Sequence, residues 1–163
     1  MCSTPSSGVP SVLDLLKAKL TSAGVLFTVL NHAPVFTSEQ AAQVRGTALS
    51  SGAKALVLRL DGRVAMFVLP ADRRLDSRKL RTALSVRSVR FATAEEVLEL
   101  TGLEPGSIPP CGSLFGLTTY CDPALAANLS INFNAGDHTV SISMTYADFL
   151  RAEAPQMLEF SAG

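Results

Sequence analysis

Residues 53–69 read Ala-Lys-Ala-Leu-Val-Leu-Arg-Leu-Asp-Gly-Arg-Val-Ala-Met-Phe-Val-Leu, and the centre of the predicted fold follows from this segment. It contains two apolar runs, Ala53–Leu60 and 64–69, on either side of the turn sequence Asp-Gly-Arg at 61–63. An Asp-Gly pair between two apolar runs is typical of a β-hairpin. Both runs are apolar on both faces, which predicts two central strands that are covered on two sides.

The pattern around this hairpin predicts helices and further strands. Helices are predicted to begin at capping residues or first-turn residues, which are Ser11, Thr37, Ser77, Thr93 and Thr145. Further strands are predicted at 25–30, 86–91, 129–133 and 138–144. We therefore expect an α/β fold, with a mixed central β-sheet and helices packed around it.

Length and composition indicate one domain. The chain has 163 residues, of which 47% are hydrophobic and 17% charged, so it can bury a core of its own. We expect the domain to occupy residues 11–160. Residues 1–10 are rich in Ser and Pro and lack the basic and apolar regions of a signal peptide, so they are predicted to form a flexible N-terminal tail.

Several functional classes are disfavoured by the sequence. No window carries the run of about eighteen apolar residues that a membrane span needs. The three cysteines, Cys2, Cys111 and Cys121, are odd in number and scattered, which favours a reducing, cytoplasmic location over a disulfide framework. Zinc-site spacing, the Walker pattern and the dinucleotide fingerprint are absent, so we expect no metal and no other cofactor.

Basic residues are concentrated in one segment, although the net charge is zero. Residues 73–90 hold seven of the fourteen basic residues of the chain. The acidic residues beside them are Asp76, within this segment, and Asp72, directly before it. The seven are Arg73, Arg74, Arg78, Lys79, Arg81, Arg87 and Arg90. Such a segment is compatible with contact to an RNA phosphate backbone, and equally with a solvated helix face followed by outward-pointing arginines.

Lys54 is the first candidate for chemistry. Side chains alternate along a strand, so Lys54 shares a face with Leu56, Leu58 and Leu60. An ammonium group on such a face is costly unless it is paired or reaches a polar cavity. Lys54 is then either a functional point charge for phosphate or carbonyl oxygen, or a lysine whose stem covers apolar surface while its head reaches water.

Two loops are the next candidates. The segment 102–112, Gly-Leu-Glu-Pro-Gly-Ser-Ile-Pro-Pro-Cys-Gly, cannot be regular structure, and its N–H groups can bind an anion or an oxyanion. It can equally be a rigid crossover. The segment 134–138, Asn-Ala-Gly-Asp-His, supplies a turn with polar side chains. His138 falls on the face of Val140 and Ile142, where a hydrogen-bonded core histidine is the commoner outcome.

Taken together, these segments resemble the YbaK family, the prolyl-tRNA-synthetase-associated or insertion-type editing domains. The resemblance extends over nearly the whole chain and rests on five segments in the family's order, at 31–42, 52–59, 73–84, 102–112 and 133–144. It implies a YbaK-like fold and a hydrolase that cleaves the ester joining a wrong amino acid to the 3′-terminal adenosine of tRNA. No cofactor is implied.

The resemblance also implies roles for particular residues. Lys54 corresponds to the strand lysine of the family, and its catalytic partner is expected to be Gly106, in the Gly-x-x-Pro-Gly loop. Substrate-binding residues are expected in that loop and in the pocket wall, namely Gly102, Pro105, Ala135, Gly136, Asp137 and His138. The expected partner is the aminoacylated 3′ end of tRNA, with an aminoacyl-tRNA synthetase as a second candidate partner and no membrane.

Two positions depart from the family pattern. Ala55 follows the lysine where members specific for alanine on proline tRNA carry Asn, and Cys111 replaces an aromatic residue after the double proline. The expected substrate class therefore covers Ala, Ser, Cys and Thr, edited in trans. The alternatives are a non-catalytic module of the same fold that binds tRNA or a synthetase, and a thiol-dependent enzyme that uses Cys111.

Overall fold

The computed structural model describes residues 10–163, and its centre is the predicted hairpin. The strands Ala53–Leu60 and Arg63–Pro70 pair antiparallel along their whole length. Leu60 pairs with Arg63, so the turn consists of Asp61 and Gly62 alone. Both have positive φ, 48° and 88°, as a two-residue type I′ turn requires. The hairpin is confirmed, with a turn one residue shorter than the sequence suggested.

The helices begin and end close to the predicted positions. Within residues 10–163 the five α-helices are α1 (Val12–Ser22), α2 (Ser38–Arg45), α3 (Ser77–Leu84), α4 (Ala94–Thr101) and α5 (Tyr146–Glu153). Ser11, Thr37, Thr93 and Thr145 each accept a hydrogen bond from a backbone N–H of the first turn, as predicted. The cap of α3 is Asp76, whose carboxylate accepts from the N–H groups of Arg78 and Lys79.

The strands form more than one sheet. They are β1 (Thr28–Asn31), β2 (Ala53–Leu60), β3 (Arg63–Pro70), β4 (Arg74–Leu75), β5 (Val89–Phe91), β6 (Thr119–Cys121), β7 (Ser130–Asn134), β8 (Val140–Thr145), β9 (Gln156–Met157) and β10 (Ser161–Ala162). The main sheet has the order β5-β2-β3-β6-β9 and is mixed, because β6 runs parallel to both β3 and β9. The predicted α/β class and mixed sheet are confirmed.

A smaller sheet, absent from the prediction, packs beside the main one. It is antiparallel with the order β1-β8-β7, and a two-stranded β10-β4 pair forms a third. A parallel bridge between Gly52 and Asn132 joins the start of β2 to β7. This bridge is what brings the small sheet against the residues that precede Lys54.

The hairpin separates two hydrophobic cores, as predicted for central strands. Val57, Met66 and Val68 face the larger core, which α1, α5 and the small sheet complete. Leu58 and Phe67 face the smaller core, which is closed by α3 and the C-terminal segment. The side chain of Lys54 lies on the same face of β2 as Leu58, as the strand alternation predicted.

Further details differ from the sequence prediction. The first strand begins at Thr28 rather than residue 25, and the strand predicted at 86–91 is limited to β5. Ala83, which the apolar pattern of Leu80, Ala83 and Leu84 predicts to face inward, is exposed. His138 lies in a turn, because β8 begins only at Val140.

The predicted tail at 1–10 lies outside the described residues except for its last position. No helix within residues 10–163 is both long and apolar enough to span a membrane.

Candidate active site

A small polar pocket lies between α2, the start of β2 and β7. Its volume is about 120 Å³. The residues that line it and carry polar or charged side chains are Thr37, Ser38, Arg45, Lys54, Asn132 and Asn134, and Gly106 joins them from the Gly-Pro loop. Two predicted site residues, Lys54 and Gly106, thus share one cavity, together with residues that the sequence did not single out.

Lys54 is half-buried at the edge of this pocket. Its Nζ donates one hydrogen bond, of 3.3 Å, to the carbonyl oxygen of Arg73. Burial lowers the pKa of Lys54 below its usual value, and Arg74 lowers it further, while Glu39 and Asp72 act in the opposite direction. The ammonium group has no carboxylate within salt-bridge distance among residues 10–163. It is therefore a positive charge available to a ligand.

Arg45, the last residue of α2, is the second cation of the pocket. Its guanidinium donates to the Ser141 hydroxyl (2.8 Å) and to the side-chain oxygens of Asn132 (2.8 Å) and Asn134 (2.7 Å). Burial lowers the pKa of Arg45 to about 10, so it remains charged at neutral pH. All three acceptors are neutral and belong to β7 and β8. Arg45 therefore fixes α2 to the polar face of the small sheet without losing its charge to a carboxylate.

The two asparagines carry this network to both sides of the pocket. Because Arg45 occupies each side-chain oxygen, each amide nitrogen must point away from Arg45. Asn132 donates from its Nδ2 to the Ser51 hydroxyl at 2.9 Å, and Asn134 donates to the carbonyl oxygen of Gly106. One hydrogen-bonded chain thus connects α2, the small sheet and the Gly-Pro loop.

His32 ends the network at its far side. Its Nδ1 lies 2.8 Å from the carbonyl oxygen of Ala33, which can only accept, so Nδ1 carries the proton. Nε2 lies 2.8 Å from the Ser141 hydroxyl and, in the neutral ring, accepts from it. The Ser141 hydroxyl can then donate to His32 and accept from Arg45 at the same time, which satisfies all three groups.

Gly106 presents its backbone to the pocket. Its φ is 92°, a conformation that glycine adopts at little cost. Asn134 holds its carbonyl oxygen, whereas its N–H donates to no group within residues 10–163. A Cβ at this position would lie 3.8 Å from the ring carbon Cε1 of His138, so the loop approaches that histidine closely.

The prediction that His138 shares the core face of β8 is wrong. The residue lies in the turn before β8, where its Nδ1 is 3.1 Å from the carbonyl oxygen of Val35. Its ring packs against Phe36, with the ring centroids 4.7 Å apart. Because of this turn, the strand begins later than the apolar alternation suggested. His138 thus stands beside the Gly106 loop, next to the pocket rather than in its lining.

The remaining predicted residues do not line the pocket. Gly102 ends α4 and is exposed, as is Pro105. Ala135 is fully buried in the larger core. The N–H of Gly136 donates to the carbonyl oxygen of Ser107 at 2.8 Å, and thereby joins the turn to the Gly-Pro loop.

Asp137 is exposed and serves its own turn. Its carboxylate accepts from the N–H (2.8 Å) and hydroxyl (2.6 Å) of Thr139. These hydrogen bonds lower the pKa of Asp137 below its usual value. In this conformation the carboxylate is directed at Thr139 and stabilises the turn that carries His138.

The environment of Cys111 does not suit the nucleophile of a thiol-dependent enzyme. Its side chain is 1% exposed and packs in the larger core, and it is not part of the pocket lining. Burial raises the pKa of the thiol far above neutrality, so it is inert as a nucleophile. The exchange of an aromatic residue for cysteine here consequently alters core packing rather than the pocket. Ala55, in contrast, lines the pocket directly.

Residues 10–163 bring together no cluster of His, Cys, Asp and Glu side chains suited to a metal ion.

Comparison with known proteins agrees with this arrangement. The family model described as the aminoacyl-tRNA editing domain matches residues 32–152. The chain belongs to this family. The resemblance inferred from the five sequence segments is thereby confirmed, and the matched region contains every residue that lines the pocket.

Individual relatives extend the comparison over most of this editing domain. The multifunctional Ser/Thr-tRNA deacylase ProXp-y of Escherichia coli K12 is 35% identical over 89% of the chain and 90% of its own length. A proline–tRNA ligase of Bacillus licheniformis is 32% identical over 83% of the chain but only 26% of the ligase. The crystal structure of a proposed trans-editing enzyme for prolyl-tRNA synthetase, 25% identical, superposes with a TM-score of 0.83 over 96% of the chain and all of that protein.

Proposed function

We propose that this editing domain is a cytoplasmic aminoacyl-tRNA deacylase that acts in trans and hydrolyses the ester of a mischarged small amino acid. Within the class of Ala, Ser, Cys and Thr, we favour Ser and Thr. The name of the Escherichia coli relative, a Ser/Thr-tRNA deacylase that aligns over most of both chains, supports this choice. The small volume of the pocket supports a small side chain.

One observation carries the proposal: Lys54 and Gly106 line the same small pocket, and within residues 10–163 the ammonium of Lys54 has no salt-bridge partner and the N–H of Gly106 donates to no group. Ester hydrolysis develops negative charge on the carbonyl oxygen of the substrate. Fixed donors aimed at that oxygen are commonly the largest contribution to catalysis, and removal of one typically costs about a hundredfold or more in rate. Both groups are electropositive, and no carboxylate in the described part of the chain makes salt-bridge contact with either.

The reaction needs little else from the protein, because an aminoacyl ester is already activated. A water molecule attacks the carbonyl carbon, and the tetrahedral oxyanion is stabilised by the N–H of Gly106. The bond from this carbon to the ribose oxygen then breaks, which gives the free amino acid and tRNA with a restored hydroxyl group. We infer that Lys54 holds the ester or the adjoining phosphate, and that the neighbouring ribose hydroxyl transfers the proton.

Arg45 and the two asparagines support this chemistry from the opposite wall. Asn134, which Arg45 holds in place, donates to the carbonyl oxygen of Gly106 and so fixes the position of this residue beside the pocket. A preorganised donor does not have to reorient during the reaction. We therefore assign Arg45 and Asn134 as positioning residues, and keep a direct role for Lys54 and Gly106.

A panel of tRNAs charged with Ser, Thr, Ala and Cys tests the proposal. We expect deacylation of at least one hydroxyl-bearing amino acid by the wild-type protein, and a loss of about a hundredfold or more in Lys54→Ala. Lys17→Ala, on α1 and outside the pocket, is the matched control and should retain normal activity. Near-normal turnover by Lys54→Ala would contradict the assignment of this lysine.

The same panel separates the enzyme from a non-catalytic module. A module of this fold would bind tRNA, or a synthetase, and leave every aminoacyl ester intact. Complete inactivity on all four charged tRNAs, with tRNA binding retained, would favour that alternative and overturn the proposed function.

A further inference from the structure

A second, larger cavity adjoins the candidate active site. It has a volume of about 470 Å³ and lies between the start of β2, β4 and β5. Lys54 lines both cavities. A ligand that fills both cavities must therefore pass the ammonium group of Lys54.

The lining of this cavity combines cations with apolar surface. Its cations are Lys54, Arg74 and Arg90. Arg90 is paired with Glu96, at 2.9 Å and 3.1 Å, and is therefore largely compensated. The guanidinium of Arg74 donates to no acceptor within residues 10–163, and Lys54 has only its contact with a carbonyl oxygen. Two positive charges thus face one cavity without a bonded anion.

The proximity of these two cations has an electrostatic cost. Arg74 lowers the pKa of Lys54, which shows that the two charges repel each other. Glu39 and Asp72 offset part of this repulsion from a distance. An anionic group placed between Lys54 and Arg74 would relieve it, and a phosphodiester is the anion that the proposed substrate carries.

Phe91 provides the apolar part. It ends β5, which is the edge strand of the main sheet, and its side chain remains 58% exposed. Leu56 and Leu75 continue the apolar lining. A free aromatic ring beside uncompensated cations is the combination by which proteins bind single-stranded nucleic acid, with bases stacked on the ring and phosphates held by the cations.

The sizes of the two cavities indicate how the substrate is divided between them. A space of about 120 Å³ suits a small aminoacyl group and not an attached nucleoside as well. The reacting ester joins these two parts, so the nucleoside must lie immediately beyond the ester. The adjoining cavity, of about 470 Å³, is large enough for it.

We propose that the second cavity binds the terminal adenosine of the tRNA 3′ end, with its base against Phe91 and its 5′ phosphate between Lys54 and Arg74. This inference rests on the proposed function, because it takes the aminoacyl group to occupy the first cavity. Lys54 then lies at the junction of the two parts of the substrate.

The test compares two RNA hairpins that mimic an acceptor stem, one ending in unpaired C-C-A and one lacking the terminal adenosine. We expect the wild-type protein to bind the complete hairpin about tenfold more tightly, since a stacked base typically contributes about that factor or more. Phe91→Ala should remove most of this preference. Leu98→Ala is the matched control, because Leu98 is 55% exposed, lies on α4 and lines neither cavity.

The phosphate contact has its own signature. Arg74→Gln should weaken binding of the complete hairpin and decrease the slope of log affinity against log salt by about one. Phe91→Ala should leave that slope unchanged. Arg78→Gln, in the same basic segment but outside this cavity, should leave the preference for the terminal adenosine intact.

Three outcomes would overturn the inference. The first is equal affinity of the wild-type protein for both hairpins, and the second is the same preference in Phe91→Ala as in Leu98→Ala. The third is a Phe91→Ala variant that loses binding to a synthetase but not to the hairpins. Deacylation of charged tRNA is measured in parallel. A preference for the terminal adenosine without deacylation would refute the proposed function and leave this site standing. Deacylation without a preference for the terminal adenosine would refute this site and leave the proposed function standing.

Discussion

The two walls of the active-site pocket each carry a cation, and they hold it in opposite ways. On the wall made by α2 and the small sheet, Arg45 makes three side-chain hydrogen bonds of 2.7–2.8 Å. On the wall made by the hairpin, Lys54 makes a single bond of 3.3 Å to a backbone carbonyl. One cation is therefore fixed before any substrate arrives, and the other is free to adjust to it.

The chemistry of the two side chains suits this division. A guanidinium is a planar group with five donors in fixed directions, whereas an ammonium is a compact charge on a flexible stem. Arg45 uses its directional donors to set the orientation of two amides, and through Asn134 that of the Gly106 carbonyl. Among residues 10–163, Lys54 has no such network. The comparison predicts that loss of Arg45 damages the structure and the chemistry together, and that loss of Lys54 damages only the chemistry.

The largest effect on stability is expected for Arg45→Met. Asn132 and Ser141 are both buried, so their oxygens would lose a charged donor without gaining water. Each buried group left unsatisfied costs about 1–3 kcal/mol. We expect the free energy of unfolding to fall by about 2–4 kcal/mol, as measured by urea denaturation, and activity to fall with it.

Arg45→Lys sharpens this prediction. It keeps the charge but cannot donate to three acceptors in the planar arrangement of the guanidinium. It should therefore recover only part of the stability and of the activity. If Arg45→Met denatures at the same urea concentration as the wild-type protein, the network does not hold the wall, and the proposed contrast with Lys54 fails.

A smaller effect is expected for Asn134→Ala, which removes the link between Arg45 and Gly106. The residue is only partly buried, so we expect a loss of about 1–2 kcal/mol. The maximal rate of deacylation should fall more than the affinity for tRNA, because the lost contact orients the Gly106 loop. Steady-state kinetics with a charged tRNA separate the two quantities.

Asn128→Ala is the control for that variant. Asn128 also donates from its amide to backbone carbonyls, those of Ser50 and Leu125, but it does not line the pocket. A comparable loss of stability with normal turnover is expected. If both variants lose turnover to the same degree, the effect of Asn134 comes from general destabilisation and not from positioning of Gly106.

The two walls also differ in how far the sequence reveals them. Lys54 was recognised because it interrupts a strand that is otherwise apolar, which is a local signal. Arg45 was missed because α2 contains little beyond Ala41 on its buried face, so its last residue is read as a solvated helix end. Its partners lie 87 to 96 positions further along the chain, and nothing local connects them. A weak signal existed in the alternation of β7, where Asn132 and Asn134 occupy the face opposite Ile131 and Phe133.

The same reasoning applies to the fold. The helices with capping residues and the hairpin with the Asp61-Gly62 turn were predicted correctly, because the residues that define each of them are neighbours in sequence. The short strand β6 was missed, because it has three residues and is defined only by parallel pairing with β3 and β9. The turn that removes His138 from β8 was also missed. It depends on the Asp137 carboxylate and on the contact between Gly136 and Ser107, which the apolar alternation does not register.

The smallest effect on stability is expected for Lys54→Met. The sign of this effect tests whether the Lys54 side chain is free to move rather than held by the folded structure. Burial lowers the pKa of Lys54, which means that folding disfavours its charged form. At neutral pH the variant should therefore be as stable as the wild-type protein or slightly more stable, with a difference below about 1 kcal/mol. As pH rises through the lowered folded-state pKa towards the usual lysine value, the unfolded chain binds more protons than the folded one, so the wild-type protein gains stability relative to Lys54→Met. Urea denaturation of both proteins from neutral to alkaline pH measures this convergence. A variant that is clearly less stable at neutral pH would show that Lys54 is held by the structure much as Arg45 is, and the two walls would no longer differ.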